Sequence, residues 1–275
     1  MSTVTASARR EHRVTVRSLA QRKRQGEPFT MLTAYDFTFA RIFDEAGIDL
    51  LLVGDSLGNV VQGCDTTLPV TLDEVIYHTR LVARGAQRSL VVADMPFGSY
   101  QVCPEDAVRS AIRFVKEAGA HAVKLEGGLL VAETIERIVR AQVPVMGHIG
   151  LTPQSVNAMG GYRVQGRSES GRARVLEDAR AVQEAGAFAV VLEGIPADLG
   201  REISQTLDIP TIGIGAGPDC DGQVLVMHDL LGLGDSSPSF AKQYAPLGAL
   251  AGEAARAFAE EVLNRKFPDS MHSYR

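Results

Sequence analysis

Few cysteines are present in the sequence, and their spacing excludes a disulfide framework. Cys64, Cys103 and Cys220 are the three cysteines among 275 residues, and no two of them form a Cys-x-x-Cys pair. An odd number of widely spaced cysteines is typical of a protein from a reducing compartment, and it gives little support to a metal site built on thiolates. We therefore expect a cytoplasmic location.

Long apolar runs and an excess of basic residues are also missing. No stretch approaches the ~20 consecutive apolar residues of a membrane span. The N-terminal MSTVTASARREHR is polar, so we expect residues 1–13 to be a disordered or frayed tail rather than a secretory signal. Lysine and arginine number 28 against 33 aspartates and glutamates, for a net charge of -5. This balance excludes a basic surface for nucleic acid or for an anionic membrane.

Short apolar runs alternate with helical patterns along the chain. The runs read as strands at 29–34, 50–54, 89–93, 121–125, 143–147, 188–192, 210–214 and 223–227. Helical patterns cover 37–46, 72–86, 104–118, 130–141, 169–185, 197–207 and 246–265, with an extra N-terminal helix at 16–25. Continuously apolar strands are typical of a parallel sheet covered on both faces. Eight such units predict an α/β protein with a (β/α)8 TIM barrel as one domain over 14–265, followed by a tail at 266–275.

Two segments of the chain are nearly identical. EAGAHAVKLEGG spans 117–128 and EAGAFAVVLEGI spans 184–195, and EAGIDLLLVGDS at 45–56 is a third copy. The glycine of each EAG stands where a helix ends, directly before the next strand. We interpret the likeness as a short return loop used three times, which βα architecture alone explains.

Ionisable residues follow five consecutive predicted strands, namely Asp55, Asp94, Glu126, His148 and Glu193. Strand ends of this kind meet on the C-terminal face of a barrel, where this fold carries its active sites. Each residue could alone be a helix cap or an ion-pair partner, but together they predict a site. Three converging carboxylates repel one another, so Asp55, Asp94 and Glu126 predict a hard cation bound through oxygen, and Mg²⁺ fits best.

The two similar segments differ at one inward position. Residues two apart on a strand share a face, so Lys124 neighbours Glu126 while Val191 neighbours Glu193. A cation favours the charged form of Glu126, whereas apolar surroundings raise the basicity of Glu193. We therefore predict Glu193 as general base and Glu126 as part of the metal site. Lys124 could also be a structural ion-pair partner of Glu126. His148 is either a hydrogen-bond donor to substrate or metal-bound water, or a satisfied core group.

Longer motifs resemble those of one family. They are VGDSLGNVVQG (53–63), ADMPFGSY (93–100), AVKLEGG (122–128), GHIGLTPQSVNAMGGYRVQG (147–166), LEGIP (192–196) and IGIGAGPDCDGQVLVMHD (212–229). Over residues 14–265 they are similar to the 3-methyl-2-oxobutanoate hydroxymethyltransferase (ketopantoate hydroxymethyltransferase) family of pantothenate biosynthesis. The resemblance implies a barrel of the phosphoenolpyruvate/pyruvate-binding type and a cytoplasmic homo-oligomer, a decamer in bacterial members.

The resemblance also implies a reaction. A one-carbon unit passes from 5,10-methylenetetrahydrofolate to C3 of 3-methyl-2-oxobutanoate through an enolate stabilised by one Mg²⁺ per subunit, giving 2-dehydropantoate and tetrahydrofolate. Glu193 matches the proton acceptor, and Glu126 a third metal-associated acid that acts directly or through water. Asp55 and Asp94 match the family's metal-binding acids, and Ser56, Asp94 and Lys124 match positions that hold the keto acid. By position only, we expect segments 57–70 and 149–168 to contact the folate.

Three other functions stay open on the sequence alone. Lys124 could form a Schiff base with a ketone, as in a metal-independent aldolase. The metal site could serve an aldolase, lyase or mutase that acts on another 2-oxo acid. A non-catalytic barrel that binds small anions and assembles into a scaffold is the third.

Overall fold

The computed structural model of the chain describes residues 13–234 and 237–274. The predicted N-terminal tail, apart from Arg13, lies outside the described residues. Within the described part, the chain divides into two compact units, of which the first ends at Val226 and the second begins at Met227. All strands named below lie in the first unit. The single domain predicted for residues 14–265 extends beyond this unit and stays a prediction.

Eight parallel strands close into a barrel in the order of the chain, within the residues that the structure describes. The strands are β1 (Phe29–Thr33), β2 (Leu50–Val53), β3 (Leu90–Asp94), β4 (Ala122–Glu126), β5 (Val145–Gly150), β6 (Ala189–Glu193), β7 (Thr211–Ile214) and β8 (Gly222–Leu225). The predicted (β/α)8 barrel is therefore confirmed, and each predicted strand overlaps an observed one.

Helices connect most of the strands, and further helices precede β1 and follow β8. They are α1 (Val16–Gln25), α2 (Phe37–Ala46), α3 (Leu57–Val60), α4 (Leu72–Gly85), α5 (Pro104–Ala118), α6 (Ala132–Arg140), α7 (Val156–Met159), α8 (Glu169–Glu184), α9 (Ala197–Thr206), α10 (Met227–Leu231) and α11 (Leu247–Leu263). Short 3₁₀ turns lie at Leu129–Val131 and Pro153–Ser155. The sequence did not predict α3, α7 or α10, because single helical turns are too short to show a 3.6-residue period.

Side-chain caps and glycines set several helix boundaries. The Thr15 hydroxyl accepts a hydrogen bond from the Ser18 N–H in a capping box at α1, and Asp36 caps α2 through the Phe39 N–H. Gly47 and Gly119 end α2 and α5 with φ of 94° and 76°. L residues with a side chain rarely adopt these angles, which explains the glycine in the repeated EAG segments.

The barrel interior is apolar near the N-terminal ends of the strands. One buried cluster takes at least one side chain from every strand, and its members include Met31, Leu50, Leu52, Leu90, Val92, Ala122, Met146, Ala189, Val191, Ile212 and Val224. Because side chains alternate along a strand, the next residues on this same face are those at positions 94, 124, 126, 148 and 193. The pleat of the sheet therefore places the ionisable residues inside the barrel, above the apolar core.

At the opposite end of the barrel, an acidic residue connects an outer helix to the segment that precedes β3. The Asp44 carboxylate, on α2, accepts hydrogen bonds from the backbone N–H groups of Gln87, Arg88 and Ser89. Burial raises the pKa of Asp44, but these hydrogen bonds outweigh it and hold the pKa below 3.8. Asp44 therefore stabilises the fold in its charged form.

The second unit contains α10 and α11. None of the residues of α11 is buried, and Leu250, Phe258 and Leu263 are exposed apolar side chains on it. Residues 266–274, in the predicted C-terminal tail, form bends and irregular segments. Across the described chain, every helix is too short or too polar to cross a bilayer.

Candidate active site

Five consecutive strands bring their polar residues to the C-terminal face of the barrel. Asp94, Glu126 and Glu193 are the last residues of β3, β4 and β6, and Asp55 follows β2 by two residues. His148 lies within β5, where it pairs with Glu126 across the ladder. The sequence prediction placed these residues just after the strands. Asp55 does follow its strand, whereas the other four lie inside or at the end of their strands because the parallel ladders extend to them.

Lys124 and Asp94 form a buried ion pair at the centre of this face. The Lys124 Nζ donates to both carboxylate oxygens of Asp94, each at 2.6 Å, while its distance to Glu126 Oε1 is 3.9 Å. Burial lowers the pKa of Lys124, but Asp94, Glu126 and Asp55 outweigh it and raise the pKa above its usual value. Lys124 is therefore an ammonium ion. Its closest partner is the cross-strand Asp94 rather than Glu126, its neighbour along the strand.

Asp55 and Asp94 bring two buried carboxyl groups together. The Asp55 backbone N–H lies 3.4 Å from Asp94 Oδ2. Burial raises the pKa of Asp55 to about 8, and the negative charges of Asp94 and Glu126 act in the same direction. Burial also raises the pKa of Asp94, although Lys124 opposes it. The surrounding protein therefore does not fully compensate the negative charge of Asp55 and Asp94. A bound cation would stabilise the carboxylate form of both residues.

His148 lies between the glutamates of the two similar segments. Its Nδ1 is 3.3 Å from Glu126 Oε1, and its Nε2 is 3.2 Å from Glu193 Oε2. Neither contact has hydrogen-bonding geometry, so the interaction is mainly ionic. Burial and Lys124 lower the pKa of His148, but the two glutamates outweigh them and raise it to about 9. His148 is therefore an imidazolium ion at neutral pH that contacts both glutamates.

The two glutamates differ in their surroundings. Burial opposes the charge of Glu126, but His148, Lys124 and the Gln154 N–H lower its pKa below the usual value. Its side chain is 2% exposed, whereas that of Glu193 is 17% exposed. Glu126 is thus enclosed by cationic and N–H groups, and Glu193 is the one of the pair that solvent and a substrate can reach.

Three polar residues of the site were missed in the sequence. The Tyr35 hydroxyl lies 2.8 Å from Ser56 Oγ. Tyr100 and Gln154 join through a hydrogen bond of 2.7 Å, and the Gln154 Nε2 donates to Asp55 Oδ2 at 3.0 Å. Tyr35 follows β1 by two residues. The sequence prediction considered only ionisable side chains after strands, and a prediction that included neutral polar side chains would have identified Tyr35. Tyr100 and Gln154 lie in loops, where no periodic pattern marks them.

Close packing against α8 explains the second glycine of KLEGG, Gly128. A Cβ on Gly128 would lie 2.0 Å from Asp178 Oδ1 and 2.2 Å from Asp178 Cβ. Asp178 is on α8, and its carboxylate accepts the Leu129 N–H at 2.9 Å. Gly128 therefore leaves the space that α8 needs to hold the segment following Glu126.

The predicted metal ligands fit a cation only in part. In the described ranges, no three His, Cys, Asp or Glu side chains form a ready set of metal ligands. Asp55 and Asp94 offer two carboxylates with hard oxygen donors. Mg²⁺ commonly binds proteins through one or two carboxylates. Both oxygens of Glu126 face protein groups, Oε1 towards His148 and Oε2 towards the Gln154 N–H at 2.9 Å, as both oxygens of Asp94 face Lys124.

Comparison with known proteins gives a consistent result for the whole chain. A family model described as ketopantoate hydroxymethyltransferase matches residues 13–270. The 3-methyl-2-oxobutanoate hydroxymethyltransferase of Thermobifida fusca is 58% identical, with 95% of this chain and 94% of that protein covered. The enzymes of the same name from Magnetococcus marinus and Acidothermus cellulolyticus are each 57% identical, covering 95% and 98% of this chain and 98% and 100% of theirs.

Solved structures share the fold at low sequence identity. Phosphonopyruvate hydrolase in complex with oxalate and Mg²⁺ superposes with a TM-score of 0.62 at 12% identity, covering 94% of this chain and 93% of that one. 2,3-Dimethylmalate lyase, a member of the PEP mutase/isocitrate lyase superfamily, has a TM-score of 0.56 at 20% identity, covering 97% and 89%. These structures place the barrel among folds of the predicted type.

Proposed function

The chain belongs to the ketopantoate hydroxymethyltransferase family, and we propose that the ionisable cluster at the C-terminal face of its barrel is the active site. The chain is a transferase that adds a hydroxymethyl group to 3-methyl-2-oxobutanoate, a reaction of pantothenate biosynthesis. We propose 5,10-methylenetetrahydrofolate as the one-carbon donor. The observation that supports this site best is the contrast between the enclosed Glu126 and the accessible Glu193, joined by His148.

Asp55 and Asp94 would hold one Mg²⁺ per subunit. Both residues are buried, the Asp55 backbone N–H contacts the Asp94 carboxylate, and burial with the charges of Asp94 and Glu126 raises the pKa of Asp55. When bound, Mg²⁺ would act as a Lewis acid that polarises the oxygens of the keto acid. We propose that Glu126, whose oxygens already face protein groups, contacts the metal site through water and keeps Lys124 and His148 charged.

Lys124 and Ser56 would bind the keto acid. The Lys124 ammonium supplies positive charge in a buried setting, where it favours a carboxylate or a developing enolate oxygen. The Ser56 hydroxyl is oriented by Tyr35 at 2.8 Å and can donate to a substrate oxygen. Asp94 fixes the ammonium between its two oxygens, so Lys124 points in one direction before substrate arrives.

Glu193 would accept the proton from C3 of the keto acid. The C3–H bond breaks, its proton goes to a carboxylate oxygen of Glu193, and its electron pair forms the new bond to the one-carbon unit. The carbon–nitrogen bonds to the folate break with their electron pairs going to nitrogen, and water supplies the hydroxyl group of the product. His148 lies 3.2 Å from Glu193 Oε2 and holds this carboxylate towards the site. Segments 57–70 and 149–168 follow β2 and β5 on the same face, and we propose that they contact the folate.

The Schiff-base alternative has little support. A lysine must lose its proton to attack a ketone, and Asp94, Glu126 and Asp55 together raise the pKa of Lys124. Borohydride treatment with the keto acid is therefore expected to leave Lys124 unmodified, which peptide mass mapping would check.

We also propose a cytoplasmic homo-oligomer, a decamer as the family resemblance implies. Cys64, Cys103 and Cys220 are free thiols, as expected in a reducing compartment. The exposed apolar side chains of α11 favour burial against other subunits. Light scattering should give about ten times the chain mass of 29.5 kDa, and a mass of one chain would contradict the oligomer.

Hydrogen exchange at C3 tests the proposed site directly. With Mg²⁺ and without folate, the protein should exchange the C3 hydrogen of 3-methyl-2-oxobutanoate for deuterium in D₂O, followed by proton NMR. Adding EDTA should stop the exchange and adding excess Mg²⁺ should restore it. Folded, Mg²⁺-saturated protein that binds the keto acid without exchanging its C3 hydrogen would refute Glu193 as a base acting at C3.

A further inference from the structure

Gln154 connects the long loop after β5 to the acids of the site. It lies in the 3₁₀ turn Pro153–Ser155 and is 4% exposed. Its Nε2 donates to Asp55 Oδ2 and to the Met95 carbonyl, both at 3.0 Å, and its backbone N–H donates to Glu126 Oε2 at 2.9 Å. One loop residue thus contacts segments that follow or end three different strands.

The orientation of the Gln154 amide is fixed by its other partners. Oε1 accepts from the Tyr100 hydroxyl at 2.7 Å and from Gln101 Nε2 at 3.3 Å. The Tyr100 oxygen accepts the Glu126 backbone N–H at 3.1 Å, and it lies closer to Gln154 Oε1, at 2.7 Å, than to the Glu126 carbonyl, at 3.2 Å, so the shorter contact takes its single proton. Both donors and both acceptor positions of the amide are therefore used. An inverted amide would place its NH₂ against the Tyr100 hydroxyl and its oxygen against Asp55.

The charge of Gln154 matters as much as its contacts. Asp94 is paired with a full positive charge, the Lys124 ammonium, whereas Gln154 gives Asp55 a neutral donor on one oxygen. A neutral donor fixes the plane of the carboxylate without compensating its charge. A lysine in this position would compete with a cation, and a glutamate would repel Asp55.

We propose that Gln154 is a positioning residue that orients Asp55 for a divalent cation and makes cation affinity depend on the position of the β5–α8 loop. The inference rests on the proposed metal site at Asp55 and Asp94. Hydrogen-bond partners behind a metal ligand commonly contribute 10–100-fold to metal affinity, because they fix the ligand before the ion arrives. Tyr100 assists by holding Oε1, one step further from the ion.

Binding of Mn²⁺ alone tests this role without catalysis. The full-length protein would be titrated with Mn²⁺ while the free ion is followed by electron paramagnetic resonance. Gln154→Met keeps length and volume but removes both amide groups, and it should weaken Mn²⁺ binding about 10-fold or more. Tyr100→Phe should weaken it less, and the double variant should bind as Gln154→Met does, since the Tyr100 hydroxyl then has no amide to orient.

Gln183→Met is the matched control. The Gln183 Oε1 accepts the backbone N–H groups of Asp208 and Ile209 at the other end of the barrel, so its loss also costs stability but leaves Asp55 unchanged. Thermal melts of all variants identify any that fail to fold. If Gln154→Met fails to fold, Gln154→Asn is the second variant, because it keeps a neutral amide that is one methylene too short to reach Asp55 and should also weaken Mn²⁺ binding. Wild-type protein that binds no Mn²⁺ would refute the proposed metal site. Wild-type affinity in folded Gln154→Met, or equal losses in Gln183→Met, would refute the role of Gln154 alone.

Discussion

Lys124→Met should destabilise the protein in a way that Mg²⁺ partly reverses. Lys124 Nζ contacts both Asp94 oxygens at 2.6 Å, and the two side chains are 4% and 2% exposed. Removing one partner of a buried ion pair typically costs about 3–5 kcal/mol, because the other charge stays buried without compensation. For a chain of this size, each kcal/mol lowers the melting temperature by roughly 2–4 °C. We therefore expect a loss of about 6–20 °C without added metal.

Added Mg²⁺ should stabilise both proteins but the variant more, because a cation at Asp55 and Asp94 replaces the missing positive charge and is no longer repelled by the Lys124 ammonium. A ligand at about 100 times its dissociation constant adds about 2.7 kcal/mol to the stability of the state it binds. Calorimetry with EDTA and with a series of Mg²⁺ concentrations would measure the difference. The control is Lys23→Met, which removes the Lys23–Asp221 pair of 2.8 Å outside this site. Equal recovery of both variants, or a Lys124→Met melting temperature equal to wild type, would refute the reasoning.

Further variants test individual contacts. Tyr35→Phe removes the partner of the Ser56 hydroxyl and should raise KM for the keto acid about 3- to 10-fold with little change in kcat, as steady-state kinetics would show. Gly128→Ala should cost about 1–3 kcal/mol in urea unfolding because its Cβ would overlap the Asp178 side chain, including the Asp178 Cβ. Asp44→Asn should lower the free energy of unfolding at pH 7 by about 1–3 kcal/mol. Since the folded-state pKa of Asp44 is depressed, this contribution is present above pH 3.8 and lost as the pH falls below it, so wild type and variant should converge in acid.

The site was largely predictable because parallel strands end on one face. The apolar runs located the strands, and the polar residue that ended each run identified Asp55, Asp94, Glu126, His148 and Glu193. The alternation of side chains along β4 also identified Lys124 as an inward neighbour of Glu126.

Contacts between different strands were not predictable. The sequence favoured Glu126 as the partner of Lys124, but the register of β3 and β4 aligns Asp94 with Lys124 and makes Asp94 the closer acid. The contact of His148 with both glutamates likewise depends on register. Gln154 reaches the site from a loop whose path no local pattern specifies.

Comparison of Glu193→Gln with Glu126→Gln tests the account most directly. The measurement is the rate of deuterium incorporation at C3 of 3-methyl-2-oxobutanoate, with Mn²⁺ and keto-acid affinities determined on the same samples. Glu193→Gln should slow exchange by at least about 100-fold and keep both affinities, because it removes only the proton acceptor. Glu126→Gln should mainly weaken ion binding and keep exchange once the ion is saturating. Rapid exchange by Glu193→Gln, or equal loss of ion affinity in both variants, would contradict the separate roles of the two glutamates.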